Sequence, residues 1–358
     1  MNELKSLGRY EIKGVLGQGA MGLVYDGLDP GLNRRVAIKT ILTRKLDAEA
    51  ARMVGVRFER EVRAVARLNH PNIVQVYDFG TEGDLAYIVM EFVQGKELKS
   101  LFDASQGFDL KTSLRLTIEL LEALDFAHEA GIIHRDIKPA NVMVDATGRA
   151  KLTDFGVARV TEPGGNQAEA TRIGAMVGTP AYMSPEQIQG QTIDRRTDIF
   201  STGILLYELL TGKKPFGGTQ WVLQKSIVED DPAWPSTLVQ IPPEIDRVVA
   251  HALAKQAERR FQTARKFADA LKRILDGKAP EEPGEAPFSM KAAAPAPAPA
   301  KASAAASATG TEAEKEFWDE VKDSTDPDDV ALYLEQFPTG TFAAQAQKKV
   351  AELRAKKG

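Results

Sequence analysis

The sequence predicts an α+β protein of two lobes, a small strand-rich one followed by a larger helical one, and then a small all-α module beyond a linker. Three observations carry that prediction. Runs rich in β-branched and aromatic residues, separated by Gly, Pro and Asp turns, recur between Tyr10 and Phe92 around one charged helical stretch. From Glu97 onward the pattern changes to helical. Residues 277–312 are dominated by Ala and Pro, and residues 313–358 return to a helical pattern.

Composition narrows the function classes. Of 358 residues 43% are hydrophobic and 27% charged, and 46 basic side chains against 50 acidic ones give a net charge of -4. Without a basic block, nothing favours nucleic acid or an anionic membrane as the main partner. Cysteine is absent, which excludes disulfides and Cys-bound zinc and suits a reducing cytoplasm. The opening MNELKSLGRY lacks the apolar centre of a signal peptide. No apolar run approaches the roughly twenty residues of a transmembrane helix. The nearest, Ile199 to Leu210, contains Ser201, Tyr207 and Glu208 and reads as a buried helix.

Three strands are expected between Tyr10 and Lys39. A glycine-rich turn, GQGAMG, joins the first two and carries Gly17, Gly19 and Gly22. Glycines let a backbone lie close over a phosphate, although they also serve plain hairpins. A strand follows this turn, whereas the dinucleotide fingerprint opens a helix. Lys39, in VAIK, reads either as a snorkelling edge residue or, with the glycine turn beside it, as a phosphate contact. A charged helix is expected from about 48 to 68, with Phe58, Val62, Val65, Ala66 and Leu68 on its apolar face. Val74 to Gly80 and Leu85 to Phe92 then read as a strand pair turning at Glu82-Gly83-Asp84.

In the helical lobe, SLRLTIELLEALDFAHEAG carries a packing stripe of Leu116, Leu120, Leu124 and Ala127 and ends at Gly131. The chemistry lies after it. Asp136, Lys138 and Asn141 fall within six positions, and Asp154 follows Asp136 by eighteen residues. VMV and AKLT between the two acids read as short strands joined by Asp145-Ala146-Thr147-Gly148, which brings both acids to one end. A carboxylate to orient a hydroxyl, an ammonium to offset a phosphate oxygen, and an amide oxygen with a second carboxylate for Mg2+ make a phosphoryl-transfer set.

The stretch IIHRDIKPANVMVDATGRAKLTDFG, with the glycine turn, VAIK, HPNIV and GTPAYMSPEQ, resembles the eukaryotic-type (Hanks-type) serine/threonine protein kinases of bacteria across roughly residues 8–276. That resemblance implies the bilobal protein kinase fold, with a small lobe at 8–93 and a large one at 94–276. It implies ATP and Mg2+ as cofactors and serine or threonine hydroxyls of protein substrates as acceptors. ATP would lie under Gly17, Gly19 and Gly22, with Lys39 on its phosphates and Glu61, nine residues before His70, bracing Lys39. Leu16, Val24, Ala37 and Met143 would sandwich the adenine, Met90 would back the pocket, and Glu91 to Val93 would form the hinge. Asp136 would orient the acceptor, Lys138 would offset charge, Asn141 and Asp154 would hold metal, and Thr179 would bond Asp136 and Lys138. His134 would pack beneath Phe155. Arg135 would anchor a phosphorylated loop, for which Thr171, eight residues before Thr179, is the expected autophosphorylated residue. His128 and His251 are read as structural or exposed. Asp198 is read as a scaffold residue, and Glu186 as the partner of Arg260. Self-association through the small lobe is left open.

The Ala/Pro run 277–312 offers little to bury and reads as a semi-extended linker. In 313–358, Trp318, Tyr333 and Phe337 are expected to pack together, and the pattern resembles a single helical-repeat unit, which leaves a face for docking on the kinase lobe, a second copy or a client protein. The rival reading is a catalytically silent kinase-like scaffold that acts through this module. The full set of acid, amide and lysine residues argues against it.

Overall fold

The structure, a computed structural model, describes residues 4–19, 22–42, 58–83, 85–155, 180–218, 220–279, 314, 315, 318, 322, 330, 333, 334, 337 and 340–357. Thr171, Thr179, Gly156 and residues 48–57 of the expected charged helix lie outside them. The chain divides into two compact units, residues 1–293 and 294–358.

The first unit begins with β1 (Ser6–Leu7), β2 (Tyr10–Gly19), β3 (Gly22–Asp29) and β4 (Arg34–Leu42), followed by helix α1, described over 58–65. β5 (Val76–Glu82) and β6 (Leu85–Glu91) complete an antiparallel sheet in the order β1-β2-β3-β4-β6-β5. Side-chain alternation explains its two faces. Val36 and Ile38 of β4 join Tyr87 and Val89 of β6, with Leu7 and Tyr10, in one core. Ile41 of β4, with Ile88 and Met90 of β6, packs against Phe58 and Val62 of α1 on the other. Lys39 has the parity of Ala37 and Ile41, so β4 places it on the α1 side of the sheet. Strand β1 escaped the sequence reading because two residues carry no periodicity.

The helical lobe follows: β7 (Gly95–Glu97), α2 (Leu98–Asp103), α3 (Leu110–Glu129), a 3-10 turn at Pro139–Asn141, β8 (Val142–Asp145) and β9 (Ala150–Leu152). Beyond residues 156–179 come α4 (Pro185–Ile188), α5 (Arg196–Thr211), α6 (Gln220–Glu229), α7 (Pro235–Leu238), α8 (Glu244–Ala252) and α9 (Ala264–Leu275). Asp109 caps α3 by accepting from Thr112 N. Every residue of α5 from Thr197 to Leu210 is buried, as its apolar run predicts, and Gly212 ends the helix at φ 69°. Leu114, Leu120 and Leu124 of α3 and Ile204 and Leu205 of α5 are fully enclosed at the centre of the lobe's core.

The Glu186–Arg260 pair is present. Both guanidinium Nη atoms donate to the Glu186 carboxylate at 2.8 Å, and Arg260 Nε donates to Ala254 O at 2.7 Å. Burial alone would raise the Glu186 carboxyl; the Arg260 fork and the Thr197 hydroxyl outweigh it and hold the group below its ordinary value.

In the second unit α10 (Ala343–Lys357) packs with Trp318, Val330 and Tyr333. Trp318 meets Tyr333 at 5.2 Å between ring centroids, and Tyr333 meets Phe337 at 5.3 Å. Tyr333 Oη donates to the buried Glu314 carboxylate at 2.5 Å.

Candidate active site

The loop between α3 and β8 carries the acid, lysine and amide, and α5 holds it from beneath. Asp198, wholly buried in the first turn of α5, accepts from His134 N at 2.8 Å and from Arg135 N at 2.7 Å. Arg135 is thereby kept at φ 68°, a left-handed conformation that costs a non-glycine residue about 1–3 kcal/mol. Its carbonyl accepts from Gln187 Nε2 at 2.8 Å. Asp136 follows directly, aimed by that twist.

Around Asp136 two of the residues singled out with it, Lys138 and Asn141, converge. Lys138 Nζ donates to Asp136 Oδ2 at 2.8 Å, and Asn141 Nδ2 donates to the same oxygen at 2.9 Å and to the Asp136 carbonyl at 2.8 Å. The amide nitrogen of Asn141 is thus committed to Asp136, which turns its carbonyl oxygen the other way. The β8–β9 hairpin then returns the chain. Asp145 Oδ1 accepts from Thr147 N and Arg149 N, and Gly148 takes the positive φ of the turn. Thr153 N donates to Asn141 O at 3.0 Å, and His134 Nε2 bonds Thr153 O at 2.8 Å. Asp154, at φ 64°, comes next, and its Oδ2 lies 2.7 Å from Lys39 Nζ. Phe155 is buried with its ring centroid 4.7 Å from His134.

The structure therefore gathers Asp136, Lys138 and Asn141 into one cluster and Lys39 with Asp154 into another, stitched together through Thr153. Glu61, the expected brace of Lys39, is exposed on α1, while the ion pair of Lys39 runs to Asp154. Gly17 pairs with Val24 and Gly19 with Gly22 across the β2–β3 hairpin. Gly22 also has a packing reason to be glycine: a Cβ there would strike the carbonyl of Thr40, meeting its carbon at 2.8 Å. Val24, Ala37, Val93 and Met143 are half-buried, Met90 is buried, and Leu16 is 46% exposed. The Glu91 carboxylate at the end of β6 takes Lys151 Nζ of β9 at 2.8 Å and so ties the strand-rich lobe to the helical one. The Arg135 Nε atom is buried without a hydrogen-bond partner.

Among the described residues no three His, Cys, Asp or Glu side chains form a ready-made metal cage. Mg2+ needs no such cage, since one or two protein oxygens hold it together with phosphate oxygens and water. The Asn141 oxygen and the Asp154 carboxylate are such donors.

Sequence reading missed His128, Lys151 and Gln187. His128 Nε2 bonds Asp198 Oδ2 at 2.8 Å, a contact across 70 residues. One signal was present: 128 continues the i, i+4 row of Leu116, Leu120 and Leu124, so a polar side chain had to lie on the packing face.

Residues 10–272 match the family described as protein kinase domain. A probable serine/threonine-protein kinase of Streptomyces coelicolor is 42% identical over 284 residues, covering 77% of this chain and 42% of the relative. Serine/threonine-protein kinase PknB of Mycobacterium tuberculosis is 41% identical over 281 residues, covering 77% of this chain and 44% of that protein. The chain thus spans less than half the length of these curated relatives. A crystal structure of Rad53 1-466 in complex with AMP-PNP superposes with TM-score 0.59 at 29% identity, covering 73% of this chain and 64% of that one. Among the described residues no helix is long and apolar enough to cross a membrane. With the matched family model spanning both lobes and the catalytic loop, this chain belongs to the protein kinase family.

Proposed function

We propose that this protein transfers the γ-phosphoryl group of ATP to serine and threonine hydroxyls of protein substrates, in the cytoplasm, where ATP is supplied. The observation that carries the reading is the convergence on Asp136. Both side-chain bonds from Lys138 and Asn141 go to Oδ2, which leaves Oδ1 to accept the proton of an acceptor hydroxyl and point its oxygen along the line of attack. The Lys138 ammonium offsets charge on the moving phosphoryl group. Lys39, on the cleft side of β4, neutralises the nucleotide phosphates beneath the β2–β3 hairpin. Bound Mg2+, held by Asn141 and Asp154, would supply further neutralisation of phosphate charge.

Serine and threonine are favoured over tyrosine by Lys138, two residues after Asp136, and by GTPAYMSPE, and both relatives above bear serine/threonine kinase names. Activation by autophosphorylation of Thr171 belongs to the same reading: the buried, unpartnered Nε of Arg135 is a donor awaiting an anion. Residues 8–276 are the catalytic domain, and 313–358 is a docking module for a protein partner. Incubation with ATP and Mg2+ followed by phosphopeptide mapping tests the reading. Phosphate on Thr171 and on added protein, lost in Asp136→Asn, supports it; an inactive wild type refutes it. Phosphate absent from Thr171 in active protein, with Thr171→Ala fully active, removes the activation step alone.

A further inference from the structure

We infer that Lys214 is a specificity-determining residue, which selects protein substrates carrying an acidic side chain within about four residues of the acceptor hydroxyl. The inference deepens the kinase reading above and rests on it. It starts from where α5 places the Tyr182 ring. Asp198 in the first turn of α5 holds the backbone of His134 and Arg135, next to Asp136. Ser201, three residues on, donates through Oγ to the Tyr182 carbonyl at 2.7 Å. Residues three apart on a helix are neighbours, so the 3-10 turn Pro180–Tyr182 lies against the catalytic loop. The Tyr182 side chain then runs along α5, and its Oη donates to Glu208 Oε2 at 2.5 Å. Asp198 and Glu208 stand about 15 Å apart along the helix. A ring between them is within about four residues of extended peptide from the acceptor site.

Lys214 gives that ring a charge. The Thr211 hydroxyl accepts from Lys213 N at 3.2 Å and donates to Lys213 O at 3.0 Å, which fixes the turn after α5. From this turn Lys214 Nζ reaches 5.2 Å from the Tyr182 ring centroid, with its side chain exposed. The negative face of the ring holds an ammonium there. Two carboxylates stand near, and neither is open to a basic substrate residue. Glu208 is 9% exposed and bonded to the phenol, while Asp103 at the end of α2 takes Lys99 Nζ at 2.5 Å. Burial and the Glu208 bond push the Tyr182 phenol up, so it remains a neutral donor. What the surface offers a passing peptide is therefore the Lys214 ammonium, with exposed Lys213 beside it. A substrate carboxylate is attracted and a substrate lysine or arginine repelled. Both charges are exposed, so the selection is of the order of 5-fold and is screened by salt.

The test uses the full chain as wild type, Lys214→Glu and Lys214→Gln, with Asp136→Asn as the inactive control. Serine peptides are compared that differ at one residue, Glu, Gln or Lys, placed in turn at each position up to about four residues on either side of the serine. For each, kcat/KM is measured at low and at high ionic strength, beside the melting temperature of each protein. We expect wild type to favour Glu over Lys by about 5-fold at one or two of these positions, and about 0.5 M salt to remove most of the preference. Lys214→Gln should lose the preference, and Lys214→Glu should lose or invert it. Wild type with no preference for Glu at any position overturns the inference with the kinase reading intact. So does a preference that a folded Lys214→Glu keeps in full. Should Lys214→Glu fail to fold, the Gln variant decides: a lost preference supports the inference and an unchanged one ends it. A wild type that phosphorylates none of the peptides refutes the kinase reading itself.

Discussion

At Asp136 one carboxylate oxygen is occupied twice, by the Lys138 ammonium and the Asn141 amide, and the division of labour between its two oxygens follows. Lys39 is coupled to the same machinery from the other lobe through its ion pair with Asp154. Lys39→Met should lower kcat/KM by about 10^2-fold or more, through loss of a charge that acts on phosphates and on Asp154 together. Steady-state kinetics with a peptide acceptor, set beside nucleotide binding by calorimetry, would show both effects. Asp136, Lys138 and Asn141 were legible because their close spacing along one stretch encodes their meeting. Lys151 and His128 were not, because their partners, Glu91 and Asp198, lie 60 and 70 residues away and no local pattern announces such contacts. Nor did spacing disclose that Lys39 would meet Asp154 while Glu61 lies exposed.

Among the elements, β4 and α5 carry the site. β4 sorts its side chains by parity, Val36 and Ile38 to one core and Ala37 and Ile41 to the other, which the unbroken apolar run VAI in RRVAIKTIL did not disclose. α5 could be read as buried from its apolar run, but its anchor for the catalytic loop rests on Asp198 alone. α4 is fastened behind that loop by Arg260, a fully enclosed cation with Glu186 as its counter-ion. Arg260→Met removes the cation and leaves a buried carboxylate, and should destabilise the domain by about 3–5 kcal/mol in urea denaturation. Because the folded-state pKa of Glu186 is depressed, its contribution is fully present above the unfolded carboxyl value and is lost as pH falls through the folded one. Stability of wild type should therefore drop in acid more steeply than that of a Glu186→Gln/Arg260→Met double variant. Gly22→Ala should loosen the β2–β3 hairpin against β4, since the added carbon collides with the Thr40 carbonyl; weaker nucleotide binding with an unchanged large-lobe transition would be the sign.

Over the whole molecule, the chain holds a kinase unit and a separate small unit that has its own aromatic core. Trp318, Tyr333 and Phe337 meet as their pattern predicted, whereas the role of Glu314 as acceptor for Tyr333 was invisible in sequence. That bond holds the Glu314 carboxyl below its ordinary value; burial and the same bond push the Tyr333 phenol up to about 12. Gly340 sits against this pair, and a Cβ there would meet Glu314 Oε1 and approach Phe337 Cβ to 2.7 Å. Gly340→Ala should unfold the small unit, seen as faster proteolysis beyond residue 294, with phosphoryl transfer to a peptide unchanged. Slower transfer in that variant would show that the small unit supports catalysis rather than docking.

Single-turnover transfer of labelled γ-phosphate to a serine peptide, compared in wild type and Asp136→Asn with ATP affinity measured separately, probes the convergence on Asp136 most directly. The variant should bind ATP as wild type does and transfer its phosphate about 10^2- to 10^4-fold more slowly. Equal transfer rates in the two proteins would contradict the role given to Asp136.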